Sequence, residues 1–137
     1  TRTKPEMNGV LIDTSVWIEY FRGNRNYIDP GLELIDLGMA YSLEVVFAEL
    51  AQGAKSKREL EIILAFFANM KLLDSPGLIF KAGVYSQQNR LIEKGIGLID
   101  AILILCTIEN DLKLWTLDKK ILSYLDPDRV FHPKTNF

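Results

Sequence analysis

Short apolar runs alternate along this chain with longer stretches in which apolar residues recur every three or four positions. Such alternation is typical of a parallel sheet whose strands are connected by helices. It predicts an α/β fold. The predicted strands span residues 9–12, 39–43, 70–73 and 113–117, and 129–131 could form a last edge strand.

Three helical segments carry end signals. The first begins near Ser15 and ends at the next glycine and asparagine. The second follows a capping box of Ser56 and Glu59, in which side chains satisfy backbone N–H groups at the helix terminus. The third has an N-cap and a first-turn proline at residues 75–76 and is predicted to run to about Lys94, before two glycines.

Residues 100–110 are ambiguous, because their isoleucines favour a strand while their length favours a helix. A strand would leave only a hairpin connection to the next strand, in a sheet otherwise built by crossovers. A buried helix is therefore the preferred interpretation.

The length of 137 residues predicts one domain, residues 1–137, with a single core. Hydrophobic residues make up 48% and charged residues 25%, as in ordinary soluble proteins. No apolar run approaches the roughly 20 residues that a membrane helix needs. Residues 1–8 are polar, lack a signal-peptide core and are expected to be a leader, flexible or added to the natural protein, which could start at Met7.

Cysteine, histidine and net charge exclude several function classes. The single cysteine, Cys106, is predicted to be a core residue, and it rules out an internal disulfide and suits a reducing, cytoplasmic location. The single histidine, His132, argues against a His-rich zinc site and a Ser-His-Asp triad. A net charge of -2 gives no overall attraction for nucleic acid, so such binding would depend on local patches and metal.

Four acidic residues lie beside apolar segments, where an unpaired carboxylate is costly. Asp13 and Asp118 each end an apolar run. Asp100 opens another, and Glu49 lies in a helix-like stretch. Because ligands bind at the carboxyl ends of parallel strands, we expect these side chains to share one edge. They would repel one another without a cation, and oxygen ligands suit Mg2+ or Mn2+, so they are predicted to bind one or two such ions.

Such a site suits hydrolysis of a phosphodiester bond, since a metal ion can activate water and stabilise charge on the phosphate. Three hydroxyl residues next to the acids could orient the carboxylates or a metal-bound water. They are Thr14, Ser15 and Thr116.

Each acid also has a purely local explanation. Asp13 and Asp118 could cap helices, Asp100 could be a first-turn acid favoured by the helix dipole, and Glu49 could be solvated. The three hydroxyl residues could likewise be caps or turn formers. The joint pattern of strand ends and helices favours a shared site.

Four segments of the chain resemble, in order, the acidic motifs of PIN-domain proteins. The resemblance spans residues 9–131 and is strongest to the VapC toxins of bacterial and archaeal toxin–antitoxin pairs. The matching segments are residues 10–18 around Asp13, the acid-then-glycine stretch 49–53, residues 100–102 and residues 116–120.

The resemblance implies a three-layer α/β/α sandwich with a parallel sheet of four or five strands. It implies a Mg2+- or Mn2+-dependent endoribonuclease, a homodimer, and a cognate antitoxin whose C-terminal segment covers the active-site groove. The metal-binding and catalytic acids would be Asp13, Glu49, Asp100 and Asp118, supported by the hydroxyls of Thr14 or Ser15 and of Thr116.

The chain departs from the PIN pattern in two places. Residues 102–105 are richer in isoleucine and leucine than relatives often are, which suggests bulkier packing and a dimer face. Leu117 occupies a position that is often polar, so one site contact could be missing.

Basic residues near the acidic segments are candidates for RNA phosphate contacts. The first candidates are Arg22, Lys119 and Lys120, followed by Arg90 and Lys94. A basic cluster at residues 55–58 could bind phosphate or form a solubilising loop. The aromatic residues Trp17, Tyr20 and Phe21 could line an antitoxin groove, although core positions are favoured for Trp17 and Phe21.

Four other interpretations share this pattern. A haloacid-dehalogenase-type phosphatase would have a second aspartate where Ser15 stands, and a phosphoreceiver domain would have paired acids after the first strand and a lysine after the last. A non-catalytic PIN-fold binding module would not need all four acids. A PIN nuclease of RNA processing differs mainly in context.

Overall fold

Four short parallel strands form one sheet in the order β3–β2–β1–β4. The computed structural model describes residues 8–134, so the predicted leader, except its last residue, and the predicted start at Met7 lie outside the described residues. The strands are β1 (Val10–Ile12), β2 (Ala40–Ser42), β3 (Lys71–Leu72) and β4 (Lys113–Trp115).

Seven α-helices surround this sheet in the described part of the chain. They are α1 (Thr14–Phe21), α2 (Arg25–Asp36), α3 (Glu44–Gln52), α4 (Lys57–Ala68), α5 (Leu78–Gln88), α6 (Leu98–Glu109) and α7 (Lys119–Tyr124). Helix α1 contacts α2 and α3, α3 contacts α4, and α5 packs on α6. Because parallel crossovers are right-handed and the strand order reverses after β3, the two groups lie on opposite faces of the sheet. The result is the expected three-layer α/β/α sandwich.

The strand order reverses at the centre of the sheet. From β1 the chain moves outward through β2 and β3, and it then returns to place β4 on the other side of β1. Main-chain pairing aligns Ile12 with Trp115, so β1 and β4 end level with each other. This switch point is where ligands of open parallel sheets bind.

The core consists of the strands and the inner faces of the helices. The ambiguous segment 100–110 is helical, as expected, and forms most of α6. The suggestion that residues 102–105 form a dimer face is wrong, since all four side chains are buried within the chain itself. Cys106 is also a core residue, and burial raises the pKa of its thiol to about 11.

The helix predicted for residues 75–94 is shorter than expected at both ends. It begins after Gly77, whose φ of 81° no residue with a side chain adopts easily, and it ends at Gln88. Asn89 caps the end by donating from its side-chain amide to the Tyr85 carbonyl oxygen, 2.9 Å away. Arg90 then takes a φ of 56°, and a separate 3-10 turn (Ile92–Lys94) follows.

The predicted last strand is also different. Residues 127–129 form a 3-10 turn that starts with a proline, and only Val130 bridges to Leu114 in the sheet.

The capping box prediction is confirmed at Ser56, whose hydroxyl accepts from the Glu59 N–H. None of the helices within residues 8–134 combines the length and apolar character needed to cross a membrane.

We predict opposite effects of alanine at two glycines. Gly9 has a φ of 149°, a Cβ there would lie 2.4 Å from the Tyr41 ring, and its carbonyl oxygen accepts the Lys113 N–H that joins β4 to β1. Gly9→Ala should therefore lower the free energy of unfolding by roughly 2 kcal/mol. Gly83, inside α5, has open space around its Cβ position, so Gly83→Ala should raise it by about 0.5–1 kcal/mol. Urea unfolding measures both, and equal effects of the two changes would contradict the strain at Gly9.

Candidate active site

The site is organised around Asp13, the residue that follows β1. Its backbone N–H donates to the Trp115 carbonyl oxygen at 3.0 Å, which extends the pairing of β1 with β4 by one step. Its side chain caps α1 by accepting the Thr14 N–H at Oδ1, 2.7 Å away. Although it is an ionisable side chain, Asp13 is buried, so its carboxylate depends on hydrogen bonds from neighbouring groups.

Two hydroxyl groups donate to the other oxygen of Asp13. Ser15 Oγ lies 2.9 Å and Thr116 Oγ1 lies 2.7 Å from Oδ2. Both hydroxyls also accept a backbone N–H, Ser15 from Leu117 and Thr116 from Asp118, each at 3.0 Å. The backbone of the segment after β4 is thus connected to Asp13, and Leu117 contributes to this through its main chain.

Thr14 connects Asp13 to the second acid. Its hydroxyl donates to Oε1 of Glu49, which projects from α3, at a distance of 2.7 Å. Glu49 is partly buried, so the interpretation of this residue as a solvated helix position is wrong. The three predicted hydroxyls, including Thr14, all contact one of the predicted acids.

Asp118 follows β4 and caps α7. Its Oδ1 accepts the backbone N–H groups of Lys120 and Ile121 at 2.8 and 3.1 Å. The helix-cap interpretation is therefore correct for Asp13 and for Asp118. Capping of α7 uses only Oδ1 of Asp118, so Oδ2 is left for another contact.

Asp100 lies in the first turn of α6 and is partly buried. Burial raises its pKa to about 6, with further contributions from the negative charges of Asp118, Asp13 and Glu49, while Lys120 lowers it. Among residues 8–134 the Asp100 carboxylate makes no side-chain hydrogen bond that would offset this cost. The charges of Asp118, Asp13 and Glu49 all act on Asp100, so the fold brings the four carboxylates towards one edge of the sheet.

The donor set of this site suits a hard divalent cation. It offers carboxylate and hydroxyl oxygens, and its negative charges disfavour one another without a cation. Within the described residues, however, no group of three or more histidine, cysteine, aspartate or glutamate side chains is placed so that it could hold a metal ion. A metal ion bound by three of the carboxylates would have to draw them closer together.

A groove with a volume of about 490 Å3 borders the site between α1, α3 and α4. Glu49 lines it, together with Arg22 and the basic residues Lys55 and Arg58. Phe21 also lines the groove and packs partly on the core. The other apolar residues along it are Ile18, Leu50, Ile62 and Ile63.

The remaining aromatic and basic candidates are divided between core and surface. Trp17 and Tyr20 are buried, so they belong to the core and not to the groove. Arg22 and Arg90 are exposed but paired, with Glu19 and Glu93 respectively.

The remaining basic candidates gather in a second cavity near Asp118. Lys94, Lys119 and Lys120 line it together with Ser123 and Tyr124. The last two residues were missed in the sequence, because α7 was not predicted. Its signal was Asp118 as an N-cap ahead of a short apolar pattern.

The model of the PIN domain family matches residues 10–125. The chain belongs to the PIN-domain family. A curated relative, Ribonuclease VapC32 of Mycobacterium tuberculosis, from strains CDC 1551 / Oshkosh and ATCC 25618 / H37Rv, is 29% identical over 114 residues. This alignment covers 82% of the chain and 86% of the relative.

Two solved structures share this PIN fold. VapBC2 from Rickettsia felis, bound to a DNA fragment from its promoter, gives a TM-score of 0.66 at 22% identity over 88% of this chain and 95% of that one. PAE2754 from Pyrobaculum aerophilum gives 0.59 at 17% identity over 84% and 83%.

We predict that Asp100→Asn stabilises this PIN domain at neutral pH in a metal-free buffer. Because the pKa of Asp100 is raised, the folded state keeps this proton to higher pH than the unfolded chain, and stability is lost as the pH rises through about 6. The neutral amide avoids this loss, so the variant should gain about 1 kcal/mol at about pH 8, after allowance for solvent screening, and almost nothing at about pH 4.

The measurement is urea unfolding with a chelator at both pH values. Glu61→Gln, which removes an exposed acid inside α4, is the control and should show no such pH-dependent gain. A loss of stability in Asp100→Asn at the higher pH would contradict the repulsion described above.

Proposed function

We propose that this chain is a divalent-metal-dependent endoribonuclease, the toxin of a type II toxin–antitoxin pair. The observation that carries the proposal is the convergence of Asp13, Glu49, Asp100 and Asp118 at the switch point of a PIN-family sheet. The relative named Ribonuclease VapC32, which aligns over most of both chains, supports RNA as the substrate.

The proposed cofactor is Mg2+ or Mn2+, as one or two ions. Asp13, Glu49, Asp100 and Asp118 would hold it, and the oxygen-only donor set supports this choice. When bound, such a cation supplies positive charge that stabilises the phosphate during cleavage, and it activates water for attack. The charge argument is independent of family membership, since burial and the charges of the other three acids disfavour ionisation of Asp100 without a cation.

The residues of the chain are proposed to orient this reaction. Ser15 and Thr116 fix the Asp13 carboxylate, and Thr14 fixes that of Glu49, through hydrogen bonds of 2.7–2.9 Å. Such fixed orientation reduces the reorganisation that the reaction requires. Asp100 has the least support from hydrogen bonds, so in the metal-free protein it binds a proton at mildly acidic pH.

The proposed protein partner is a cognate antitoxin. The groove has apolar walls and is lined by two acids, Glu49 and Glu59, and by three cations. Of these cations Arg22 is paired with Glu19, while Lys55 and Arg58 form none of the ion pairs between described residues. The groove suits an amphipathic segment with acidic residues, which would cover the approach to the acids. The structural neighbour VapBC2, whose name joins two components, supports a partner of this kind.

The proposal also includes a homodimer in the cytoplasm. Ile79 and the adjacent Phe80 are 63% and 80% exposed in α5, and Ile92 is 82% exposed after that helix, so apolar side chains are available to contact a second copy. A reducing compartment is consistent with the buried thiol of Cys106.

We predict that the purified protein cleaves single-stranded or structured RNA in the presence of Mg2+ or Mn2+. A chelator should abolish cleavage, and Asp13→Asn should lower kcat by at least about 100-fold, because it removes a charge on which metal binding depends. Gel analysis of labelled RNA measures both effects. Asp36→Asn, at an exposed position, should keep full activity, while full activity with chelator would refute the metal-dependent mechanism.

We predict that expression of the protein slows the growth of a bacterial host. Asp100→Asn should relieve the effect, since it removes one of the proposed metal ligands while the chain stays folded. Growth curves with equal amounts of soluble protein, checked by immunoblot, measure this. Normal growth with abundant folded wild-type protein would count against a toxin, though not against a ribonuclease.

A further inference from the structure

Three lysines line one open cavity next to the acids, which we call the lysine pocket. Lys119 and Lys120 come from α7, and Lys94 comes from the 3-10 turn before α6, so separate parts of the chain supply the charges. The cavity has a volume of about 580 Å3, and Ser123 and Tyr124 complete it. None of the ion pairs formed between described residues involves these lysines. Three positive charges therefore share one solvent-filled space.

Local packing holds two of these side chains in place. Gly95 has a φ of 77°, and a Cβ there would lie 3.2 Å from Cδ of Lys120, so the glycine makes room for this lysine. Lys94 donates to the Asn89 carbonyl oxygen at 2.9 Å, and its Nζ lies 5.9 Å from the centre of the Tyr124 ring. The pocket is thus more than a set of independently solvated lysines.

Tyr124 is itself held in place by a second tyrosine. Its hydroxyl lies 2.6 Å from that of Tyr85. Burial, followed by this hydrogen bond, raises the pKa of Tyr85. The Tyr85 phenol therefore stays neutral, and its hydroxyl helps to fix the Tyr124 ring at the edge of the pocket.

The lysine pocket lies on the Asp118 and Asp100 side of the site. Lys119 and Lys120 directly follow Asp118, and Lys120 is close enough to Asp100 to influence its ionisation. An RNA strand that places a phosphate at the carboxylates must bring the neighbouring phosphates of the same strand with it. Four negative side chains repel these phosphates, so cations beside the acids are needed to hold the strand.

We propose that the lysine pocket binds a backbone phosphate of the RNA strand adjacent to the phosphate that is cleaved. This inference rests on the proposed function. Lysine is a mobile point charge with three donors, which suits a phosphate and does not read a base. The pocket therefore positions the strand without selecting its sequence, and Lys94, Lys119 and Lys120 are positioning residues.

The test is a triple variant, Lys94→Gln, Lys119→Gln and Lys120→Gln, assayed on labelled single-stranded RNA with Mg2+. We expect KM to rise about 10-fold while kcat changes less than about twofold, because the lysines do not touch the reacting atoms. The slope of log(kcat/KM) against log salt concentration should become shallower by about 0.7, because one phosphate contact of a single strand is lost.

The matched control is Lys81→Gln. Lys81 pairs with Glu109 at the far end of α6, about 14 Å along the helix axis from Asp100, and should leave KM and the salt slope unchanged. If the triple variant does not fold, the three single variants replace it, and each should raise KM and make the salt slope shallower by part of the change expected for the triple variant.

The outcomes separate this inference from the proposed function. Active wild-type protein with unchanged KM and salt slope in the variant would overturn the lysine pocket alone. Inactive wild-type protein would overturn the proposed function, and RNA binding in chelator, measured by fluorescence anisotropy, then decides on the pocket. Equal RNA affinity of the variant and the wild type would overturn the role of the lysine pocket. A variant that binds RNA normally but no longer binds an acidic peptide would also overturn it.

Discussion

The parallel pairing of β1 with β4 is the contact on which the rest of the site depends. It aligns Ile12 with Trp115, so that Asp13 and Thr116 leave the sheet at the same level. The 2.7 Å hydrogen bond from Thr116 to Asp13 is a consequence of that register. Because side chains alternate between the faces of a strand, a shift of one residue would break the bond and send the acids in different directions.

Burial of the acids creates a cost that the site meets only partly. Asp13, Glu49 and Asp118 accept charge-assisted hydrogen bonds from hydroxyls and helix N–H groups. Asp100 has no comparable partner among the described residues, and its pKa rises accordingly. Stability alone would favour a neutral residue at this position. A carboxylate there is the kind of local conflict between stability and chemistry that is common at functional sites.

The sequence predicted the parts of this fold that depend on short-range patterns. Apolar runs located the four strands, and the acids at their ends were assigned to one edge because parallel strands share it. It did not predict where α5 ends, because a left-handed Arg90 leaves no distinct signal. Nor did it specify α2, which contains Pro30, since propensity there is overridden by packing. The sequence predicted that hydroxyl groups would orient the acids. It did not predict which hydroxyl contacts Asp13, because that depends on the β1–β4 register.

The distribution of charge explains why composition carried so little functional information. The chain has 16 basic and 18 acidic residues, which leaves almost no net field. The fold separates these charges locally, because four carboxylates share one edge of the sheet. The groove that contains Arg22, Lys55 and Arg58 lies on the Glu49 side, and the lysine pocket lies beside Asp118. The acids alone would repel a polyanion. Cations alone would bind a polyanion without fixing its position along the surface. In the proposed nuclease, this placement would let a strand be held at its flanking phosphates while one phosphate lies at the carboxylates, where a bound cation would make its approach favourable.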